Sequence, residues 1–364
     1  GNIKISTLNE IKMIRPWNQL KKINDLSIGP RPKHLLDQSW GRHSYSAWIS
    51  TINSTKSTIP SSEYAEVERN AEEELTKITL PMKNSESRSL ISHYNQSPLA
   101  EFPRGPIAGE CLHRILEKLD FEIPVTDTKT SLLIKEELAR TGININMTPN
   151  IQQAIQRLLD IPLAIDVQQL KLSQLNSKRR LNELSFDLSL SLEGKPIKSK
   201  DLIHVFNKEP KSKYGEHYAQ SLNELNIYSR GFLTGSIDLV FTDRDDATNA
   251  RWWIADWKSN WIGESISATD KVHSGPHHYL SKALDQQMVS HHYPLQAHLY
   301  LVALHRYLKW RLKDYNPEKN LGGYIYIFLR GLPSKEELKK VHIGYNLHAT
   351  TPENAPLERV MALD

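Results

Sequence analysis

Asp238, Asp256 and Lys258 are the residues of this chain whose types and spacing are suited to chemistry. They lie in two short apolar runs, GFLTGSIDLVF and RWWIADWKSNW, separated by the polar, turn-rich stretch 242–249. That pattern predicts two strands joined as a hairpin with a loop longer than the minimal one. Side chains alternate across a strand, so Asp256 and Lys258 should point to one side and Trp257 to the other. Asp238, on the neighbouring strand, can bring a second carboxylate close. Two carboxylates repel unless a cation lies between them, and hard oxygen ligands suit Mg²⁺ or Mn²⁺. With a lysine beside them, such a set matches what phosphodiester hydrolysis requires: a metal-activated water and a fixed positive charge for the transition state. The same residues also fit a buried Asp256–Lys258 salt bridge with Asp238 closing a strand end, and on residue type alone both readings stay open.

The elements that must position this hairpin are legible around it. At 364 residues, with 39% hydrophobic and 24% charged residues, the chain can hold one sizeable core or two domains. It has no apolar run of the roughly 18–20 residues a membrane span needs, and no secretory leader pattern. A single cysteine, Cys111, excludes an internal disulfide and any four-cysteine zinc or iron–sulfur site within the chain, and a reducing, intracellular setting is expected. The net charge of +4 permits nucleic-acid binding without requiring it. The chain opens on Gly rather than Met and is read as a piece of something longer.

Residues 1–38 are interrupted by Pro16, Pro30 and Pro32 and read as a tail. Ser44–Ile49 fits either a short strand or a first helical turn, and 53–97 has the Ser/Glu/Asn-rich composition of a connector. Helical spacing then appears at Leu112, Ile115, Leu116 and Leu119, with His113 at the edge of that face. On its own this histidine reads as structural or surface. Further helices are expected near 132–140 and 151–159, the first starting at Thr128–Thr130 and followed by Gly142. Leu184, Phe186, Leu188 and Leu190 alternate with Glu183, Ser185, Asp187 and Ser189, a half-buried strand whose polar side fits a solvated face at least as well as a functional role for Asp187. Lys178, Arg179 and Arg180 and the lysines 195, 198, 200, 208, 211 and 213 fit either solvated surface or phosphate contacts. The histidines 273, 277, 278, 291 and 292 lack a clean zinc-ligand spacing and are not read as a metal site. Pro294 opens a strong helix with the stripe Ala297, Leu301, Leu304, Leu308 and Leu312, and Gln296 and Tyr300, four apart, reach toward the hairpin. Tyr324–Leu329 is a further strand, and the charged tail from Ser334 is expected to be irregular.

The order Asp, then Asp-x-Lys at the end of the next strand, resembles the PD-(D/E)xK nuclease superfamily. GSIDLVF, DWKSNW, LQAHLYLVALHRYL and GGYIYIFLRG resemble the C-terminal nuclease domain of the RecB family of helicase–nuclease (exodeoxyribonuclease V) subunits. FPRGPIAGECLHRILEKLDF is similar to that domain's opening helix, and Ser44-Tyr45-Ser46 to the stretch between helicase and nuclease. The resemblance covers about residues 101–345. It implies an α/β, restriction-endonuclease-like core with a central mixed β-sheet flanked by α-helices. It divides the chain into an N-terminal tail and linker at 1–100 and a nuclease domain at 101–364. By the same resemblance Asp238, Asp256 and Lys258 are catalytic, and His113, Asp238 and Asp256 hold the metal. Glu183, Gln296 and Tyr300 support the site or contact DNA. The implied cofactor is Mg²⁺, with Mn²⁺ a substitute and Ca²⁺ binding without supporting cleavage. The implied partners are DNA, as single strands or unwound duplex ends, and RecC-like and RecD-like subunits, in a bacterial cytoplasm. No GxxxxGK[ST] phosphate loop is present, so ATP hydrolysis and unwinding are not expected. The rival from another class is a DNA-end-binding or docking module that does not cleave.

Overall fold

The computed structural model describes residues 40–53, 96–163, 170–190, 195–208, 214–246, 249–266, 271–335, 337 and 347–350. The tail expected at 1–38 and nearly all of the connector expected at 53–97 lie outside these residues. The order of the main elements is β1 (Trp40–His43), α1 (Tyr45–Asn53), α2 (Pro106–Lys118), α3 (Thr128–Arg140), α4 (Thr148–Asp160), β2 (Arg180–Ser189), β3 (Ile197–Lys198) and α5 (Ser199–Asn207). It continues with α6 (Glu216–Ser221), β4 (Tyr228–Thr242), β5 (Trp252–Lys258), β6 (Glu264–Ile266), β7 (Lys271–His273), α7 (Ser281–Ser290), α8 (Tyr293–Arg311), α9 (Pro317–Asn320), β8 (Leu321–Phe328) and β9 (Leu347–Thr350).

A mixed sheet runs β1-β4-β5-β8-β9, with β2 and β3 also paired to β4. Helices flank it on both faces, the expected restriction-endonuclease-like arrangement. The alternation of β5 builds both cores. Trp253, Ala255 and Trp257 join Leu239 and Phe241 beneath α2, α3 and α4. Ile254 faces the opposite core, where α8 is buried on nearly all sides. Asp256 and Lys258 share the parity of Ile254 and so face α8. β5 pairs antiparallel with β4 and parallel with β8, as a hairpin followed by a helical crossover requires.

The long β4 organises the sheet because it has partners on both edges. β2 covers one edge from Phe232 to Phe241. On the other edge β1 pairs with Arg230–Leu233 and β5 with Leu239–Thr242. Between them, among the described residues, 234–238 have no strand partner on that edge. The candidate site sits in this gap.

Three segments differ from the sequence expectation. Residues 40–53, placed in the tail and linker by the division at residue 100, belong to the fold. Trp40–His43 pairs parallel with β4, and 44–49, read as a short strand or a first helical turn, leads into α1, whose Tyr45, Trp48 and Ile49 are buried in the α8-side core. A domain boundary at residue 100 would cut through that core. Gly231 permits the pairing, since its φ is +105° and a Cβ there would lie 2.3 Å from the Gly41 carbonyl oxygen. Within the polar loop expected at 263–278, β6 and β7 form a two-stranded hairpin. In the charged tail, Leu347–Thr350 pairs antiparallel with β8. No helix among the described residues is long and apolar enough to cross a membrane.

Candidate active site

Asp238 occupies the first position beyond the β4–β5 ladder, which ends at the pair Leu239 and Ala255. Its Oδ2 accepts a hydrogen bond of 2.8 Å from the Trp257 amide, so the carboxylate closes the fork where the two strands part. Its Oδ1 lies 3.2 Å from Nδ1 of His113, which α2 delivers from the opposite core. Glu183, on β2, is opposite Asp238 by register, and the ladder is interrupted there: its neighbours pair as Asn182 with Leu239 and Leu184 with Ile237. The cause is local. Glu183 has φ +51°, a left-handed conformation uncommon for a side chain of this size. Ser236 donates a 2.6 Å hydrogen bond to its Oε2. As a result His113, Glu183 and Asp238 present one ligand atom each within 4.8 Å of one another.

The electrostatics suit a cation. Burial alone would push the Asp238 carboxyl up. The charge and hydrogen bond of His113, the Trp257 amide and the nearby Lys258 ammonium outweigh it, so the pKa is held below the ordinary carboxylate value. An imidazole and two carboxylates form a hard, anionic donor set appropriate to Mg²⁺ or Mn²⁺.

Lys258 and Asp256 form the second half of the site. Lys258 Nζ is 2.9 Å from Asp256 Oδ2, and the two side chains are 2% and 4% exposed. The lysine also donates to Oε1 of Gln296 at 3.0 Å, and Gln296 Nε2 donates to the Tyr300 hydroxyl at 3.1 Å. Thus the structure brings together Asp238 with His113 and Glu183, and Asp256 with Lys258, Gln296 and Tyr300. The expected metal set His113, Asp238 and Asp256 differs from this grouping in one member. Glu183 takes the third place, while the Asp256 carboxylate faces the lysine.

Sequence reasoning missed two tyrosines and an arginine. Tyr326 on β8 donates to Gln296 Oε1 at 2.9 Å, and Lys258 Nζ lies 4.1 Å from the centre of the Tyr293 ring and 5.3 Å from that of Tyr326. Both rings flank the ammonium, and the Tyr326 hydroxyl, with Tyr300 on the amide nitrogen, holds the glutamine in the orientation that offers its oxygen to the lysine. In the sequence Tyr326 reads as part of an apolar run, and Tyr293, between His292 and the helix-opening Pro294, belongs to no pattern that singles it out. Arg330, fully buried, donates to the carbonyls of Ser259, Leu99, Phe102 and Pro103. It ties the turn before α2 to the end of β5, and so fixes His113 relative to Lys258. Of the histidines not read as ligands, His291 is buried beside Gln287 and Asn260, and 277, 278, 291 and 292 are absent from any metal-capable cluster among the described residues.

Comparison with known proteins decides the kinship. The chain is 33% identical over 261 residues, 72% of its length, to the RecBCD enzyme subunit RecB of Escherichia coli strain K12. The chain is a RecB homologue. RecB subunits of Mycobacterium tuberculosis and Mycolicibacterium smegmatis match at 28% over 82% and 27% over 90% of this chain. The RecB-like chain spans only 19–31% of the length of these relatives. No family model matches it.

Proposed function

We propose that this chain is the DNA-cleaving domain of a RecB-like helicase–nuclease subunit, hydrolysing phosphodiester bonds with Mg²⁺ in double-strand-break repair and recombination. The observation that carries the reading is the convergence of His113, Glu183 and Asp238 within 4.8 Å at the fork of β4 and β5, with a buried lysine on the adjoining strand. A binding surface alone needs no such cluster of carboxylates. The relatives are named as subunits of the RecBCD enzyme, which supports RecC-like and RecD-like partners and DNA, as a single strand or an unwound end, as substrate.

His113, Glu183 and Asp238 would hold the ion, with Asp256 contributing from β5. When bound, Mg²⁺ supplies Lewis-acid polarisation of a phosphoryl oxygen and a coordinated water of lowered pKa. Asp238, its carboxyl held low, is anionic at neutral pH and ready as a ligand without first losing a proton. Lys258 places a fixed positive charge where negative charge grows on the phosphate. Gln296, Tyr293 and Tyr326 keep that ammonium in one position, so the site need not reorganise during reaction. Mn²⁺ should substitute, and the larger, loosely coordinated Ca²⁺ should bind without supporting cleavage.

Incubation with linear single-stranded DNA tests this. The chain should degrade it with Mg²⁺, stop with chelator, and lose activity in Lys258→Ala. Cleavage that continues unchanged in Lys258→Ala or Asp256→Ala would remove the assignment.

A further inference from the structure

We infer that the open face of β1, β2 and β4 is a track for a single nucleic-acid strand, with Trp40 and Phe232 as the platform on which its bases stack. This rests on the nuclease reading and adds where the substrate lies before it reaches the cluster.

Strand register defines the face. In β4 the residues Tyr228, Arg230, Phe232, Thr234 and Ser236 share one side. Cross-strand pairing adds Trp40 opposite Arg230 and Arg42 opposite Phe232 from β1. It adds Asp187 opposite Thr234 and Ser185 opposite Ser236 from β2, and Lys198 opposite Tyr228 from β3. Among the described residues, helices α2 to α4 cover the Trp253 and Trp257 half of the sheet but leave this half open. Trp40 is 60% exposed, Tyr228 54% and Phe232 38%.

Three aromatic rings exposed on one sheet face are unusual, and their setting says what they meet. Trp40 and Phe232 stand edge to face with ring centroids 6.5 Å apart, and Lys198 Nζ lies 5.3 Å from the centre of the Tyr228 ring. Arg42 and Arg230 lie between them in register. Arg42 balances the face's exposed acid, Asp187, at 2.8 Å. Aromatic rings interleaved with cations form the surface that binds single strands: rings take base faces and cations take phosphates. A duplex keeps its bases stacked on one another and cannot use such rings. From Phe232 the hydroxyls of Thr234 and Ser236 continue to Asp238, six residues and about 20 Å along the strand. A strand anchored on the platform is therefore aimed at the carboxylates.

The test uses the whole 364-residue chain, a fluorescein-labelled oligothymidylate, and an abasic strand of equal length, in chelator so that nothing is cut. Trp40→Ala and Phe232→Ala should each weaken oligothymidylate binding by roughly fivefold to a hundredfold. Binding of the abasic strand should stay as in the wild type, and Trp40→Tyr should restore most of the loss. Because both residues are exposed, the variants should fold; Phe232→Leu, which keeps apolar bulk without a ring, serves should Phe232→Ala fail. Oligothymidylate binding within twofold of wild type in both variants overturns the track, as does an equal loss on abasic strands. The nuclease reading fails separately. Wild-type stacking with no Mg²⁺-dependent cleavage would remove it and leave the track, whereas cleavage with unchanged binding in both variants would do the reverse.

Discussion

Asp256→Ala strands the Lys258 ammonium where solvent scarcely reaches, and the cost can be worked from the geometry. The pair is 2.9 Å apart with both side chains at least 96% buried, so no discount for solvent screening applies. At an effective dielectric of about 20 the attraction is about 6 kcal/mol. Removing two ions from water costs several kcal/mol each, so the intact pair contributes little net stability. Removing one partner is different, because the neutral Gln296 oxygen does not replace the charge of the lost carboxylate. Asp256→Ala should therefore destabilise the fold by about 3–5 kcal/mol. The double variant Asp256→Ala/Lys258→Met should lose far less than the two singles summed, since no charge is left behind. Urea unfolding followed by tryptophan fluorescence, in chelator so that no divalent ion adds stability, measures both. A cost below about 1 kcal/mol for Asp256→Ala would refute the reasoning, as would single costs that add within about 0.5 kcal/mol.

Acid should act through His292, whose pKa is lowered to about 4 first by burial and then by the neighbouring His291. A depressed folded pKa means that stability is complete above about pH 6.5 and is lost toward pH 4. The loss by pH 4 is about 3 kcal/mol. His292→Asn, which tolerates the left-handed φ of +55° there, should lack that share of the pH dependence in urea unfolding. An unchanged pH profile would contradict it. Arg330→Met leaves four carbonyls without their donor and should cost at least about 3 kcal/mol. Arg330→Lys should not recover it, since an ammonium cannot span the four acceptors. Recovery to within about 1 kcal/mol of wild type in the same assay would refute the stapling role.

Much of this was legible because periodicity is a local property. The two-residue period of RWWIADWKSNW placed Asp256 and Lys258 side by side, and they lie 2.9 Å apart. The four-residue spacing of Gln296 and Tyr300 predicted neighbours on one helix face, and they hydrogen-bond. The helix at 112–119 carries His113 to the hairpin, but only the resemblance raised that residue above a structural histidine. What escaped depends on contacts distant in sequence. Trp40–His43 is too short to show alternation, and its strand character comes from pairing with Arg230–Leu233. The hydroxyl of Tyr326 has a role only because α8 packs across β8. Glu183 was carried on the resemblance as a supporting residue, yet a left-handed φ turns it into the cluster. No side-chain pattern announces that conformation. The resemblance implied His113, Asp238 and Asp256 as the metal set, whereas the cluster formed at the fork is His113, Glu183 and Asp238.

The most direct measurement is anomalous diffraction from crystals soaked in Mn²⁺. The account predicts a peak at the fork of β4 and β5, within about 2.0–2.6 Å of His113 and Asp238, that disappears in Asp238→Ala. A fully soaked crystal with no peak there, or one in which Asp238 turns away from the ion, would contradict it.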